Sequence, residues 1–280
     1  MRFVKHLDFG PVQAYELGYS PVGRPLVTTH VYFIDGIMID TGQKHMSREI
    51  GDLLTDRSVQ NVLLTHHHED HSGNAAMIKN FLKIQVFGNP LTIGKMKASF
   101  KILPYQHLFW GKSDSVDVLP LPEIIETENY HLKPIHTPGH SKDHTVFWEA
   151  EQGWLFSGDI YLGDRVKYFR ADERIDDEIQ SLKIVRELDF DSVFCGHHPK
   201  EKNGKRGIIR KLDFLENLYG KVEELHKQGL GIRQIMRKMK IRESYFTMLI
   251  CFGNISARNM VKSIVDSLNE ESGSSPSVKQ

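Results

Sequence analysis

The sequence predicts an α/β chain of layered sheets and helices. Three observations carry this reading. Short apolar runs of strand length alternate with stretches of helical periodicity. Four of the apolar runs end in loops that bear His or Asp, at residues 66–71, 140, 159 and 197, and a layered α/β domain can gather such loops at one edge. Hydrophobic residues make up 40% of the 280, enough to bury a sizeable core.

Taken in order, Val27 to Phe33 reads as a strand and Ile37 to Ile39 as the next, with Asp35-Gly36 as the hairpin turn between them. Asp40-Thr41-Gly42 follows. Its carboxylate either orients a ligand or caps the helix near His45 to Leu54, and on these residues alone a cap is expected. Val62-Leu63-Leu64 is a buried strand that runs into Thr65-His66-His67-His68-Glu69-Asp70-His71-Ser72-Gly73. In extended backbone His66 and His68 face one side and His67 the other. Asp70 and His71 come where the backbone bends, so they close on the same point from another direction. Neutral imidazoles and a carboxylate suit zinc, manganese or iron. A tag-like histidine run fits poorly, because tags sit at termini and lack the buried strand before and the Asp-His-Ser-Gly after. Glu69 is expected to face solvent or cap the helix that spans Asn74 to Leu82.

Ile84 to Phe87 is a strand, and Pro90 to Phe100 opens a helix. From Ile102 to Pro122 the pattern breaks down, which reads as an irregular excursion over the surface. Its Tyr105, Phe109 and Trp110 are candidates for a substrate wall, with a packed surface loop as the plain alternative. Leu132 to His136 is a strand that ends in Thr137-Pro138-Gly139-His140-Ser141. Thr145 to Glu149 and Gly153 to Phe156 pair, and the second leads into Ser157-Gly158-Asp159. Asp176 to Leu188 is an amphipathic helix. Asp191 to Cys195 is a strand followed by Gly196-His197-His198-Pro199.

The character then changes. Lys200 to Gly207 reads as a polar basic linker, and Ile208 to Lys227 as a long helix with Leu212, Leu215, Leu218, Val222 and Leu225 on its apolar face. Shorter helices are expected over Ile232 to Met239 and Tyr245 to Cys251, and Ser256 N-caps another. This gives a helical region over 208–268 and a disordered tail over 269–280. Within it the stretch 233–262 is locally basic: Arg233, Arg237, Lys238, Lys240, Arg242, Arg258 and Lys262 stand against Glu243. A solvated helix face is the expected meaning, and contact with RNA or an anionic substrate is the alternative.

Lys+Arg and Asp+Glu both total 36, so no global attraction to nucleic acid or an anionic membrane is indicated. A small-molecule substrate is the expected partner, with nucleic acid a less favoured one and no membrane. Cys195 and Cys251 lie far apart and give neither a disulfide framework nor a CxxC motif, which suits a reducing compartment. Met1 to Asp8 has no apolar signal core and no apolar run is long enough to span a bilayer, so a cytoplasmic protein is expected.

The set His66-x-His68-x-Asp70-His71, His140 in Thr-Pro-Gly-His-Ser, Asp159 in Ser-Gly-Asp and His197 in Cys-Gly-His resembles the ordered metal motifs of the metallo-β-lactamase superfamily over roughly residues 25–200. The resemblance implies an αββα sandwich over residues 1–200. It implies one metal on His66, His68 and His140, a second on Asp70, His71 and His197, and Asp159 bridging the pair. Asp40 matches a position that supports the metal shell, and His144 matches a recurring Gly-His-x-x-x-His partner. Asp159 stands where true β-lactamases typically carry cysteine, so the glyoxalase II, lactonase, thioesterase and RNA-processing branches are the nearer match. The second histidine, His198, departs from the family pattern and reads as a surface residue or a proton donor.

The function so implied is a dinuclear metal-dependent hydrolase, with two divalent ions, zinc before manganese or iron. A metal-bridging hydroxide would attack a small ester, thioester or lactone, with Asp70 fixing its direction. The alternatives are an RNA or phosphodiester hydrolase, a mononuclear iron enzyme like the persulfide dioxygenases on His66, His140 and Asp159, and a non-catalytic regulatory protein.

Overall fold

The computed structural model describes residues 1–98 and 100–273. Strands β1 (Arg2–Phe9), β2 (Val12–Tyr19), β3 (Thr28–Ile34) and β4 (Ile37–Ile39) form an antiparallel meander. β5 (Asn61–Leu63), β6 (Gln85–Gly88) and β7 (Leu119–Pro120) extend it with parallel pairing into a seven-stranded sheet. Asp35 and Gly36 both take positive φ, 43° and 81°, which suits the tight β3–β4 hairpin. Parallel neighbours need crossovers. These are supplied by α1 (Ser47–Thr55), by α2 (Glu69–Ser72) with α3 (Ala75–Leu82), and by α4 (Pro90–Ala98) with α5 (Pro104–Phe109).

β8 (Ile125–Glu126), β9 (His131–His136), β10 (Thr145–Glu149) and β11 (Trp154–Gly158) are antiparallel neighbours in a second sheet. The short β12 (Phe169–Arg170) leaves that sheet, and α6 (Ile175–Arg186) returns the chain to β13 (Ser192–Cys195), parallel to β11. Then come α7 (Gly204–Lys227), α8 (Ile232–Lys238), α9 (Tyr245–Ile250), β14 (Ile255–Ser256) and α10 (Ala257–Gly273). β14 pairs antiparallel with β12 and so ties the end of the chain to its middle.

Period-two alternation sorts the strand residues into layers. Tyr32, Ile34, Ile37, Ile39 and Leu63 face Phe147, Trp154, Phe156 and Phe194 between the two sheets. Their neighbours Val31, Phe33, Met38, Val62 and Leu64 point the other way, onto Met46, Ile50, Leu54 and Ile78 of the first helical layer. Leu155, Val193 and Cys195 likewise turn outward onto α6, α7 and α10. Each fully buried Phe or Leu in these layers contributes about 1.5–3 kcal/mol. The result is helix, sheet, sheet, helix, and the two sheets direct their strand-end loops to a common edge. Among the described residues no helix is long and apolar enough to cross a membrane.

The expectations need correction at three places. The stretch from Ile102 to Pro122 is not wholly irregular: it holds α5, with Pro104 at its first turn, and β7. The polar linker expected over Lys200 to Gly207 is shorter, because α7 starts at Gly204 and packs Gly204 and Gly207 against Val193 and Tyr161. The expected tail is helical over 269–273 as the end of α10, and 274–280 lie outside the described residues. Ser256 does cap α10, its Oγ accepting the Asn259 N–H at 3.1 Å.

Candidate metal centre

The loops after β4, β5, β9, β11 and β13 converge. After β5 the extended Thr65–His68 segment enters α2, which turns Asp70 and His71 back toward His66. His66 Nε2 lies 2.9 Å from His68 Nδ1, which in turn lies 3.0 Å from His140 Nε2. Beside this trio stand Asp70, His71, Asp159 and His197, with their donor atoms within 4.8 Å of one another. Asp159 joins the two groups: its Oδ2 is 3.6 Å from His140 Nε2 and 3.4 Å from His197 Nε2, and its Oδ1 is 3.3 Å from His71 Nε2.

The outward faces of the imidazoles are already engaged. Asp40 Oδ2 accepts from His71 Nδ1 at 2.6 Å, Thr65 Oγ1 from His66 Nδ1 at 3.0 Å, Glu173 Oε1 from His140 Nδ1 at 2.6 Å and the Thr28 carbonyl from His197 Nδ1 at 2.5 Å. Each bond fixes which ring nitrogen faces outward, so the inner nitrogen is the one that a metal would take. Lone pairs that face one another at 3 Å repel, and a cation between them removes the repulsion. His71 Nε2 and Asp159 Oδ1 are buried and reach hydrogen-bond geometry with no protein group. The donor chemistry, nitrogen plus carboxylate, suits zinc and related divalent ions. On these grounds the residues fit a metal centre.

The electrostatics agree. Burial holds His66 and His68 well below the usual imidazole range, so both are neutral. Burial also opposes charge on His197, yet Asp159 and Asp70 push it up to about 9. A proton there does the work that a bound cation does, neutralising the carboxylates.

Asp40 corrects the sequence reading: it caps no helix. Its carboxylate accepts from the Thr65 N–H and hydroxyl, both at 2.8 Å, as well as from His71. It does so from a left-handed backbone, φ 58°, that aspartate tolerates better than most residues. Glu69 is a second correction. It is buried rather than solvated, takes two hydrogen bonds from Gln106 Nε2 of α5 at 3.1 and 3.2 Å, and burial raises it to about 7. His144 accepts the Asp159 N–H at Nε2 (3.0 Å) and donates from Nδ1 to Thr137 Oγ1 (2.8 Å), so both its nitrogens are spent holding the loop. His67 turns away, onto Asp143 and the ring of Phe100. His198 is exposed and does not line the cleft.

Two glycines make the convergence sterically feasible. A Cβ at Gly196 would come within 2.3 Å of Asp159 Oδ1, and one at Gly158 within 2.6 Å of His144 Nε2. The loop carrying His197 is held from β3: the His30 N–H donates to the Gly196 carbonyl (2.7 Å) and the Tyr32 hydroxyl to that of Cys195 (2.5 Å).

A cavity of about 410 Å³ opens over these groups, with Asp70, His140, Asp159 and His197 in its floor. Tyr105, Phe109 and Trp110 are among its lining residues. The sequence reading missed Phe246, Ile250 and Cys251 of the C-terminal region, and Arg170 and Glu173, all of which also line it. The basic residues of the C-terminal region, Arg233 to Lys262, are absent from this lining.

The family model described as metallo-beta-lactamase superfamily matches residues 24–197. The chain belongs to this superfamily. The beta-lactamase-like protein 2 homolog of Drosophila melanogaster is 29% identical over 202 residues, 65% of this chain and 62% of that protein. Thioesterase pkgB of Emericella nidulans is 27% identical over 204 residues, 69% of this chain and 53% of that one. The chain thus spans less than two thirds of the length of either relative. A metallo-beta-lactamase family protein from Thermus thermophilus superposes with TM-score 0.64 at 21% identity, over 92% of this chain and 94% of that one. That likeness extends the shared superfamily fold into the C-terminal helices.

Proposed function

We propose that the chain is a dinuclear metal-dependent hydrolase of small esters, thioesters or lactones. The observation that carries this is Asp159, whose Oδ2 lies within 3.6 Å of both donor groups, so the two groups form one centre in a shared cleft. His66, His68 and His140 would hold one divalent ion and Asp70, His71 and His197 the other, zinc first, with Asp159 between them. When bound, such ions supply Lewis acidity, lowering the pKa of water and polarising a carbonyl oxygen.

The chain's own residues do the rest. Asp70 lines the cavity and, among the described residues, takes no hydrogen bond from a protein donor, so its carboxylate is free to accept one from an attacking water and set its direction. Thr28, Thr65, Asp40 and Glu173 hold the rings of His197, His66, His71 and His140 with one nitrogen turned inward. Tyr105, Phe109 and Trp110 exclude bulk water and present an apolar wall to the substrate. That wall, together with a thioesterase among the relatives, favours a small, partly apolar substrate over a polyanionic nucleic acid.

Asp70→Ala and His68→Ala are expected to lower turnover of 4-nitrophenyl esters or acyl thioesters by about 10²–10⁴ with unchanged far-ultraviolet circular dichroism. Near-wild-type turnover in either variant would sink the assignment.

A further inference from the structure

We infer that Arg170 and the apolar walls beside it form a subsite for an amphiphilic anion, a substrate with one negatively charged head group on an apolar chain or ring. The inference rests on the hydrolase reading above and adds the substrate's charge and character. Arg170 is positioned by the β12–β14 ribbon, where it pairs with Ile255. The same ribbon holds α9 over the cleft, and Asn254 Nδ2 fastens it to the Tyr105 hydroxyl at 2.8 Å.

The Arg170 side chain is only 20% exposed, yet its single hydrogen bond among the described residues runs from Nε to Asp172 Oδ1 at 3.3 Å. The Nη groups, four of the five donors of a guanidinium, make none. The nearby carboxylates do not fill that role. Glu173 is spent on His140 and the Arg170 backbone N–H, and Glu69 on Gln106. A largely shielded guanidinium that lines a cleft, paired at Nε alone and with its Nη donors unused, is suited to a planar oxyanion.

The walls above it are apolar: Phe109, Trp110, Leu162, Phe246 and Ile250 line the cavity. Phe246 is 70% exposed, a large apolar group that the fold leaves open to solvent. No other Lys or Arg lines the cleft among the described residues, so one charge is matched, not a row of them. The fitting ligand is an acyl ester or thioester that carries one carboxylate.

The test is binding of 1-octanesulfonate to the zinc-reconstituted full chain by calorimetry, with methanesulfonate as the short control. A sulfonate is a weak metal ligand, so binding reports on the guanidinium and the walls. Wild type is expected to bind octanesulfonate at least about tenfold more tightly than methanesulfonate. Arg170→Gln should weaken octanesulfonate by about tenfold or more, the size of a charge-assisted hydrogen bond, and Arg170→Lys by less. Phe246→Ala should weaken octanesulfonate and leave methanesulfonate unchanged.

No octanesulfonate binding by wild type, or equal binding by Arg170→Gln, overturns the subsite whatever the hydrolase assays show. If Arg170→Gln fails to fold, Phe246→Ala decides, because its ring is 70% exposed and its loss should spare the fold, and unchanged octanesulfonate affinity there overturns the proposal. Octanesulfonate binding in a metal-loaded chain that hydrolyses nothing would instead refute the hydrolase reading and leave the subsite standing.

Discussion

His66 and His68 can converge because the residue between them is anchored in the opposite direction. Asp143 accepts from the His67 N–H at 3.0 Å, from its ring at 2.8 Å and from the Thr92 hydroxyl at 2.7 Å. Burial works against this carboxylate, but His67, Lys95 and Thr92 outweigh it and hold it well below the usual range. A depressed folded value means that the stabilisation is complete above the unfolded value, near about 4, and is lost as pH falls through the folded one. Asp143→Asn should therefore melt lower than wild type at pH 7, with the gap narrowing as the pH is taken from 6 to 3; a pH-independent gap in thermal melts contradicts this. The seven donors were legible in the sequence because each lies within a few residues of a strand end. Glu69 was misread, and Asp40 looked like a helix cap until the resemblance was used, because their partners, Gln106 and His71, reach them only through the fold. Glu173 and Arg170 were passed over for a related reason: in Phe-Arg-Ala-Asp-Glu-Arg they look like solvated charges until β14 and His140 arrive.

Among the elements, α7 reaches the loop that carries Asp159 through one buried lysine. Lys211 is 2% exposed and donates to Glu178 Oε1 of α6 at 2.5 Å and to the Ile160 carbonyl, next to Asp159, at 2.6 Å. Removing one partner of a buried pair strands the other charge. Lys211→Met is expected to cost about 3–5 kcal/mol in urea unfolding, and the double variant with Glu178→Leu much less. A single variant as stable as wild type would show the pair to be dispensable. The apolar face of α7 was readable from its Leu and Val spacing. Its early start at Gly204 was not, because two glycines and four lysines or arginines over 200–207 resemble a linker until Val193 and Tyr161 are seen to need the close approach. α9 was recognised as a helix, but nothing local in Tyr245 to Ile250 discloses that it forms a wall of the cleft.

At the scale of the whole molecule, the helices after β13 complete the outer layer of the second sheet. Val146, Leu155, Val193, Ile179 and Leu182 share one core with Ile208, Leu212, Leu215, Val261 and Ile264. A chain ended after Pro199 would bare that face, and it is expected to aggregate or to bind a hydrophobic dye; a soluble, cooperatively folding fragment would contradict this. The edge site was anticipated from the strand-end loops, and the αββα layering from the resemblance to the superfamily. The closure of the cleft by the C-terminal region was not, since it depends on two two-residue strands pairing across most of the second half of the chain. The central claim is that the two donor groups hold a pair of divalent ions through Asp159. Elemental mass spectrometry on untagged protein purified without chelator tests it most directly, with Asp159→Ala and His68→Ala alongside. About two ions per wild-type chain, falling in both variants, is the predicted result. No metal after reconstitution, or an undiminished content in both variants, would contradict it.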